Sequence, residues 1–198
     1  MLIAAWRKPA VLHAVYCYSV PLYLFTFHAY RSWNPDHPRG FVQQGKGIQP
    51  PNPALARAYD ESAKQPPVFF EVQHQRILIW IAFDACTRRD WRLHFVATES
   101  THVHYLVSWS SGEPWNNVFD RLKNLASLML GRKLYQKQRR WFSKAGSRKR
   151  VRDRRHLLYL MNEYLPRHRG LQWSEGDALP QEPIVEQPSA AAEGYRRV

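Results

Sequence analysis

Two histidines, His102 and His104, stand one residue apart inside the stretch Trp91 to Trp109, WRLHFVATESTHVHYLVSW. The stretch reads as two β-strands joined by a polar turn at Thr98, Glu99 and Ser100. Successive side chains of a strand point to opposite faces, so both imidazoles project from one face, about 7 Å apart along the strand. Two imidazoles on one rigid surface can close on a single cation, which is half of a metal site. Val103, Tyr105 and Val107 point the other way and can pack on a core. A solvent-facing histidine pair would have the same spacing, and the chain has nine histidines in all.

The elements around this hairpin follow from periodicity and punctuation. Leu22 to Tyr30 (LYLFTFHAY) is aromatic-rich and reads as the first core strand. Residues 31–53 fill with Pro, Gly, Asn and Gln and read as one long loop. Ala54 to Ala63 suits a short helix stopped by Pro66 and Pro67. Between Phe70 and Cys86, the residues Val72, Ile77, Ile79, Ile81, Ala82 and Ala85 suit a core-facing helix. Pro114 to Leu130 has a helical apolar stripe, with Gly131 as its stop. A short strand is expected at Trp141-Phe142-Ser143. A last helix should start at Asp153, an N-cap residue, and carry Leu157, Leu160, Met161 and Tyr164 along one stripe.

The chain has 198 residues, 44% hydrophobic content and a net charge of +13, with a pI near 10.1. That length suits one domain with appendages. The charge makes nucleic acid or another anionic surface the expected partner. Cys17 and Cys86 are too few for a disulfide framework or a zinc ribbon, and both read as reduced thiols of a cytoplasmic protein. The apolar start, residues 1–25, is interrupted by Arg7, Lys8, Pro9, His13 and Pro21, so no membrane association is expected. Beyond Gly170 the chain turns acidic and rich in Pro and Ala, the composition of a disordered tail.

Basic residues crowd the run from Arg132 to Arg155. A solvated tail would lack apolar neighbours, but Leu134, Tyr135, Trp141, Phe142 and Val151 are interleaved here, which favours a folded basic surface. The residues expected to neutralise phosphates are Arg121 and Lys123 on the preceding helix, then Arg132, Lys133, Arg139, Arg140, Lys144, Arg148 and Lys149. Tyr135 or Trp141 could stack on unpaired bases.

Four blocks together resemble a known family. FTFHAYRSWNPDHPRGF (25–41), STHVHYLV (100–107), WFSKAGSRKRVRD (141–153), and Tyr164 with Gly170 six residues later are similar to the single-tyrosine transposases with a His-hydrophobic-His (HUH) motif. These are the insertion-sequence enzymes that include the REP-associated tyrosine transposases. The resemblance spans roughly residues 20–172, leaving residues 1–19 as an N-terminal extension and 173–198 as the tail. It implies an α+β, ferredoxin-like domain, a central antiparallel sheet flanked by helices, in the order strand, helix, strand, strand, helix, strand, helix.

The resemblance also implies a reaction. His102 and His104 would hold Mg2+ or Mn2+ against a phosphate of single-stranded, hairpin-bearing DNA. Tyr164 would attack the phosphorus and leave a 5′-phosphotyrosine and a free 3′-hydroxyl. A third ligand would lie four residues after the tyrosine, at His168, where the family often has Gln; Glu99 and Glu163 are further candidates. Pro166 lies between Tyr164 and His168 and disfavours helical geometry at Leu165. Tyr159, five residues before Tyr164, competes as nucleophile but should face elsewhere on a regular helix. His28 either contacts DNA or fills a strand end, and the second reading is preferred. The family includes enzymes with sites shared across a homodimer and others that act as monomers. Two other readings remain: a catalytically inactive, domesticated nucleic-acid-binding protein with the same fold, and an RNA-binding factor. The implied location is the cytoplasm, in association with the nucleoid.

Overall fold

A computed structural model describes residues 20–185, except 44 and 145. The N-terminal extension and the end of the tail lie outside the described residues, as does Cys17. The first strand, β1 (Leu22–His28), alternates strictly. Phe25 and Phe27 turn one way into an aromatic core, while Leu22 and Leu24 turn the other way into a second apolar cluster.

After β1 come a small hairpin, β2 (Phe41–Gln43) and β3 (Gly47–Gln49), and two helices, α1 (Pro53–Glu61) and α2 (Val72–Thr87). Strands β4 (Trp91–Thr98) and β5 (His102–Trp109) precede helix α3 (Trp115–Lys133). The chain continues with β6 (Ser147–Arg150), α4 (Arg154–Tyr159), a π-helical turn at Leu160–Tyr164, a 3-10 turn at Leu165–Arg167, and β7 (Gln172–Ser174). The main sheet has the order β6-β1-β5-β4-β7, and every neighbouring pair is antiparallel. The architecture is therefore α+β, as expected. Setting aside the β2–β3 hairpin, α1 and β7, the expected order of strands and helices is also the one observed.

Helices cover both faces. On one, α2 and α3 bury Phe25, Phe27, Val103, Tyr105 and Val107 among Ile77, Ile81, Val118 and Leu122. On the other, Leu157, Leu160 and Leu165 pack on Leu24, Phe95 and Leu106. The two halves of each strand's alternation thus serve two different cores. No helix of the described residues is long and apolar enough to cross a membrane.

Several expectations need correction. Residues 31–53 are not structureless, because the β2–β3 hairpin forms within them. Gly131 does not stop α3, which runs on to Lys133. It is buried, and a Cβ there would stand 3.3 Å from the Lys137 Cα and 3.6 Å from the Trp141 indole nitrogen, so its role is close packing. The chain breaks instead at Tyr135, with φ 56°. The strand expected at Trp141-Phe142-Ser143 shrinks to one bridge between Phe142 and Ala29. The true strand is β6, four exposed polar and basic residues on the sheet edge; charge there discourages pairing with another chain.

Order also extends past the start expected for the tail. Trp173 is buried and lies opposite Val96 of β4, and Glu175 bonds Arg92 at 2.8 Å. Cys86 is a buried free thiol, its pKa pushed up to about 12 by burial.

Asp153 caps α4, accepting a hydrogen bond from the His156 backbone at 2.7 Å. Because α4 is only six residues long, the cap matters for everything that follows it. Asp153→Ala should lower stability by about 1 kcal/mol, read from the midpoint of denaturant unfolding.

Candidate metal centre and tyrosine

His102 and His104 lie on β5, opposite His28 and Thr26 of β1. Both project to the sheet face that carries α4, because Val103 and Tyr105 are committed to the α2–α3 core. His104 is buried, and its Nδ1 lies 2.7 Å from the Thr26 hydroxyl. Its Nε2 is buried with no hydrogen-bond partner among the described residues. The Nδ1 of His102 is taken up by the Thr101 hydroxyl at 2.9 Å.

His168 arrives from the other side of the site. Its Nδ1 lies 3.0 Å from the Leu165 carbonyl, which can only accept, so Nδ1 carries a proton. A neutral ring engaged through Nδ1 presents Nε2 to a cation, with its orientation fixed by the partner of the other nitrogen. Ligand atoms of His102, His104 and His168 all lie within 4.8 Å of one another. Ring centroids are 4.7 Å apart for His102 and His104, 4.5 Å for His104 and His168, and 5.4 Å for His102 and His168. The donor set and the orphaned Nε2 of His104 fit a divalent cation.

Burial holds the His102 pKa down to about 4, with the His28 ring as a further cause. His104 falls to about 2, again through burial and then the neighbouring His102, His168 and His28. Both rings are therefore neutral at pH 7, with their lone pairs available.

Tyr164 closes the cluster. Its ring lies 5.6 Å from that of His104 and 5.3 Å from that of His168. Burial, then Tyr159 and Glu99, raise the pKa of its phenol. A phenol that ionises less readily than usual needs help to act as a nucleophile.

Pro166 does not separate Tyr164 from His168. Leu165 keeps a helical backbone, φ −68° and ψ −39°, against the local preference before proline. A proline ring in a helix crowds the carbonyl four residues back, here that of Asn162. The turn before it is widened, with the Leu165 N–H bonding the Leu160 carbonyl. The chain leaves the helix only at His168, with ψ 136°.

The same widening corrects the expectation for Tyr159. A π-turn closes between residues five apart, so Tyr159 and Tyr164 lie on one side, with ring centroids 6.4 Å apart. Sequence periodicity of 3.6 could not show this. Glu163 bonds Arg167 at 2.9 Å, and Glu99 accepts from the Arg169 backbone at 3.3 Å.

The segment after His168 is pinned to the sheet. Leu171 donates to the Gln75 side chain at 2.8 Å and accepts from the Thr98 backbone at 3.0 Å. Gly170 passes so close that a Cβ would stand 2.1 Å from the Thr98 carbonyl oxygen. Gly170→Ala should therefore destabilise the fold by about 1–3 kcal/mol and shift His168. Thermal unfolding checks the first effect, and calorimetric titration with a divalent ion the second.

The basic residues separate into groups. On β6, Lys149 pairs with Leu24 and shares the face of His104, whereas Arg148 pairs with Phe25 and lies 3.7 Å over the Trp115 ring on the opposite face. Arg121, Lys123, Arg132 and Lys133 sit on α3, behind the sheet from the histidines. Arg121 pairs with Glu113 at 3.3 Å. Lys123 donates to the Ser143 and Lys144 carbonyls at 2.7 Å. Lys133 pairs with Glu182 and lies over Trp80. Arg139 donates to the Pro66 and Pro67 carbonyls, while Arg140 and Lys144 are exposed. Exposed Arg152, Arg154 and Arg155 surround the start of α4; the sequence showed them only as the end of the basic run.

All four clustered side chains come from one chain. No protein-family model matches this sequence, and no curated protein matches it. Among solved structures, one described as "Structure of the REP associates tyrosine transposase bound to a REP hairpin" is similar, with a TM-score of 0.38 at 10% identity over 95% of this chain and 96% of that one.

Proposed function

We propose that this protein is a metal-dependent endonuclease and strand transferase acting on single-stranded, hairpin-bearing DNA, with Tyr164 as nucleophile. One observation carries the reading. Three imidazoles, each engaged through Nδ1, converge with a tyrosine on one sheet face. A structural cluster would be expected to satisfy the buried Nε2 of His104 internally, and among the described residues nothing does.

His102, His104 and His168 would hold the ion. When bound, a divalent cation polarises a phosphoryl oxygen and stabilises a departing alkoxide. The Tyr164 oxygen attacks phosphorus, the bond from phosphorus to the 3′-oxygen breaks, and the phenolic proton is in balance with the one gained by the new 3′-hydroxyl. The phosphate stays on the 5′ end of the downstream strand as a tyrosine ester, so rejoining needs no ATP. Half-burial of Tyr164 keeps the ring in place against His104 and His168 before substrate arrives.

Lys149, Arg152, Arg154 and Arg155 are the cations best placed to hold the strand, being exposed on β6, on α4 and on the link between them. Exposure of Tyr159 leaves it free to stack on an unpaired base. The substrate class fits a cytoplasmic protein working on nucleoid DNA.

The test is incubation of the purified protein with a pool of labelled hairpin DNAs, with manganese or with EDTA. Metal-dependent nicks whose 3′ ends a polymerase extends support the reading. Salt-sensitive binding without nicking would favour the inactive DNA-binding protein, and stronger binding to RNA of equal sequence would favour the RNA-binding factor.

A further inference from the structure

A fourth imidazole stands beside the proposed metal site. His28 ends β1 directly opposite His102, and their ring centroids are 5.8 Å apart. It lies two residues beyond Thr26, whose hydroxyl holds His104, so it shares the face of the cluster. Its Nδ1 is buried and has no hydrogen-bond partner among the described residues. Two orphaned imidazole nitrogens, His28 Nδ1 and His104 Nε2, thus sit on adjacent strands of one sheet face, with His28 just outside the group formed by His102, His104 and His168. A buried nitrogen without a partner is rare and calls for an unseen one.

The chemistry of the donors has a further consequence. The clustered group consists of three histidines with no carboxylate. Of the nearby carboxylates, Glu163 pairs with Arg167 and Glu99 accepts from the Arg169 backbone through one oxygen; neither belongs to the clustered group. Magnesium demands oxygen ligands and sheds water reluctantly, whereas imidazole nitrogen suits cobalt, nickel and zinc. We propose that His28 is a fourth nitrogen donor of this centre, and that the all-imidazole set selects a borderline transition ion over magnesium. The inference rests on the metal reading of His102, His104 and His168.

Calorimetric titration of the metal-free full-length protein with Co2+, alone and in a large excess of Mg2+, tests it without reference to activity. The expected result is one tightly bound Co2+ that Mg2+ does not displace, with affinity lowered about ten-fold or more by His28→Gln. The thermal melt of the metal-free variant serves as its folding control, and the competition in the unmutated protein needs no variant. Displacement by Mg2+, or a His28→Gln affinity within about two-fold of the parent, overturns the proposal. Co2+ binding that persists in the double variant His102→Ala, His104→Ala would instead overturn the metal reading beneath it.

Discussion

Tyr164→Phe should abolish the covalent protein–DNA adduct and lower strand cleavage on the order of 10³-fold or more, while leaving DNA affinity nearly unchanged. The substitution removes one oxygen and keeps the ring. The packing on His104 and His168, 5.6 and 5.3 Å between centroids, is therefore retained, and stability should change by less than about 1 kcal/mol. Tyr159→Phe is the matched control. Its ring lies on the same side but shows no contact with the histidines among the described ring pairs, and Phe keeps the stacking surface, so both adduct formation and strand binding should stay nearly unchanged. Gel-shift affinity and single-turnover cleavage, measured on the same hairpin, compare the two variants. An adduct that survives Tyr164→Phe and is lost with Tyr159→Phe would exchange the assignments.

The second large effect is expected at the histidines. His104→Ala removes a donor and also leaves the Thr26 hydroxyl, now 2.7 Å from the ring, without its partner. Ion affinity should fall by about a hundred-fold or more, and stability by about 1–3 kcal/mol. His102→Ala should cost similar ion affinity with less stability, because that ring is half-buried and its partner Thr101 sits in the turn. Thr26→Val separates the two contributions of its position: it keeps every ligand, frees His104 to change tautomer, and should weaken the ion about ten-fold. Calorimetric ion titration and denaturant melts on the same preparations give both quantities.

Much of this arrangement could be read from residue order. The alternation in HVHYLV determines which side chains face the α2–α3 core and which face the side covered by α4, and β5 keeps that division along its whole length. The apolar run of α2 and the Asp153 cap were equally legible, because periodicity and capping are local. What escaped the sequence depends on contacts made elsewhere in the chain. Gly131 looks like a helix stop but is a close-packing site whose reason, Lys137 and Trp141, follows it in sequence. Apolar Trp141-Phe142 looked like a strand, yet the unpromising SRKR became one because β1 had a free edge.

The site shows the same limit. His102 and His104 declare themselves by spacing, whereas His28 joins them only through strand register, 74 residues away by their numbers. Tyr159 and Tyr164 were assigned to different sides on a regular helical pitch, and the π-turn ahead of Pro166 brings them together. Basic residues that looked like one surface divide between two sides of a sheet, with Lys133 and Arg139 engaged in internal bonds. Charge composition reports how many cations there are and cannot say which face they occupy.

Tyr164 is expected to form a phosphotyrosine with DNA under the control of an ion held by the histidines. Hairpin DNA labelled at either end, incubated with protein and manganese, resolved under denaturing conditions and followed by peptide mapping, measures this directly. The expected result is a metal-dependent adduct that retains only the label 3′ of the cut and maps to the peptide containing Tyr164. An adduct that carries the 5′ label, that forms equally in EDTA, or that maps to another residue would contradict it.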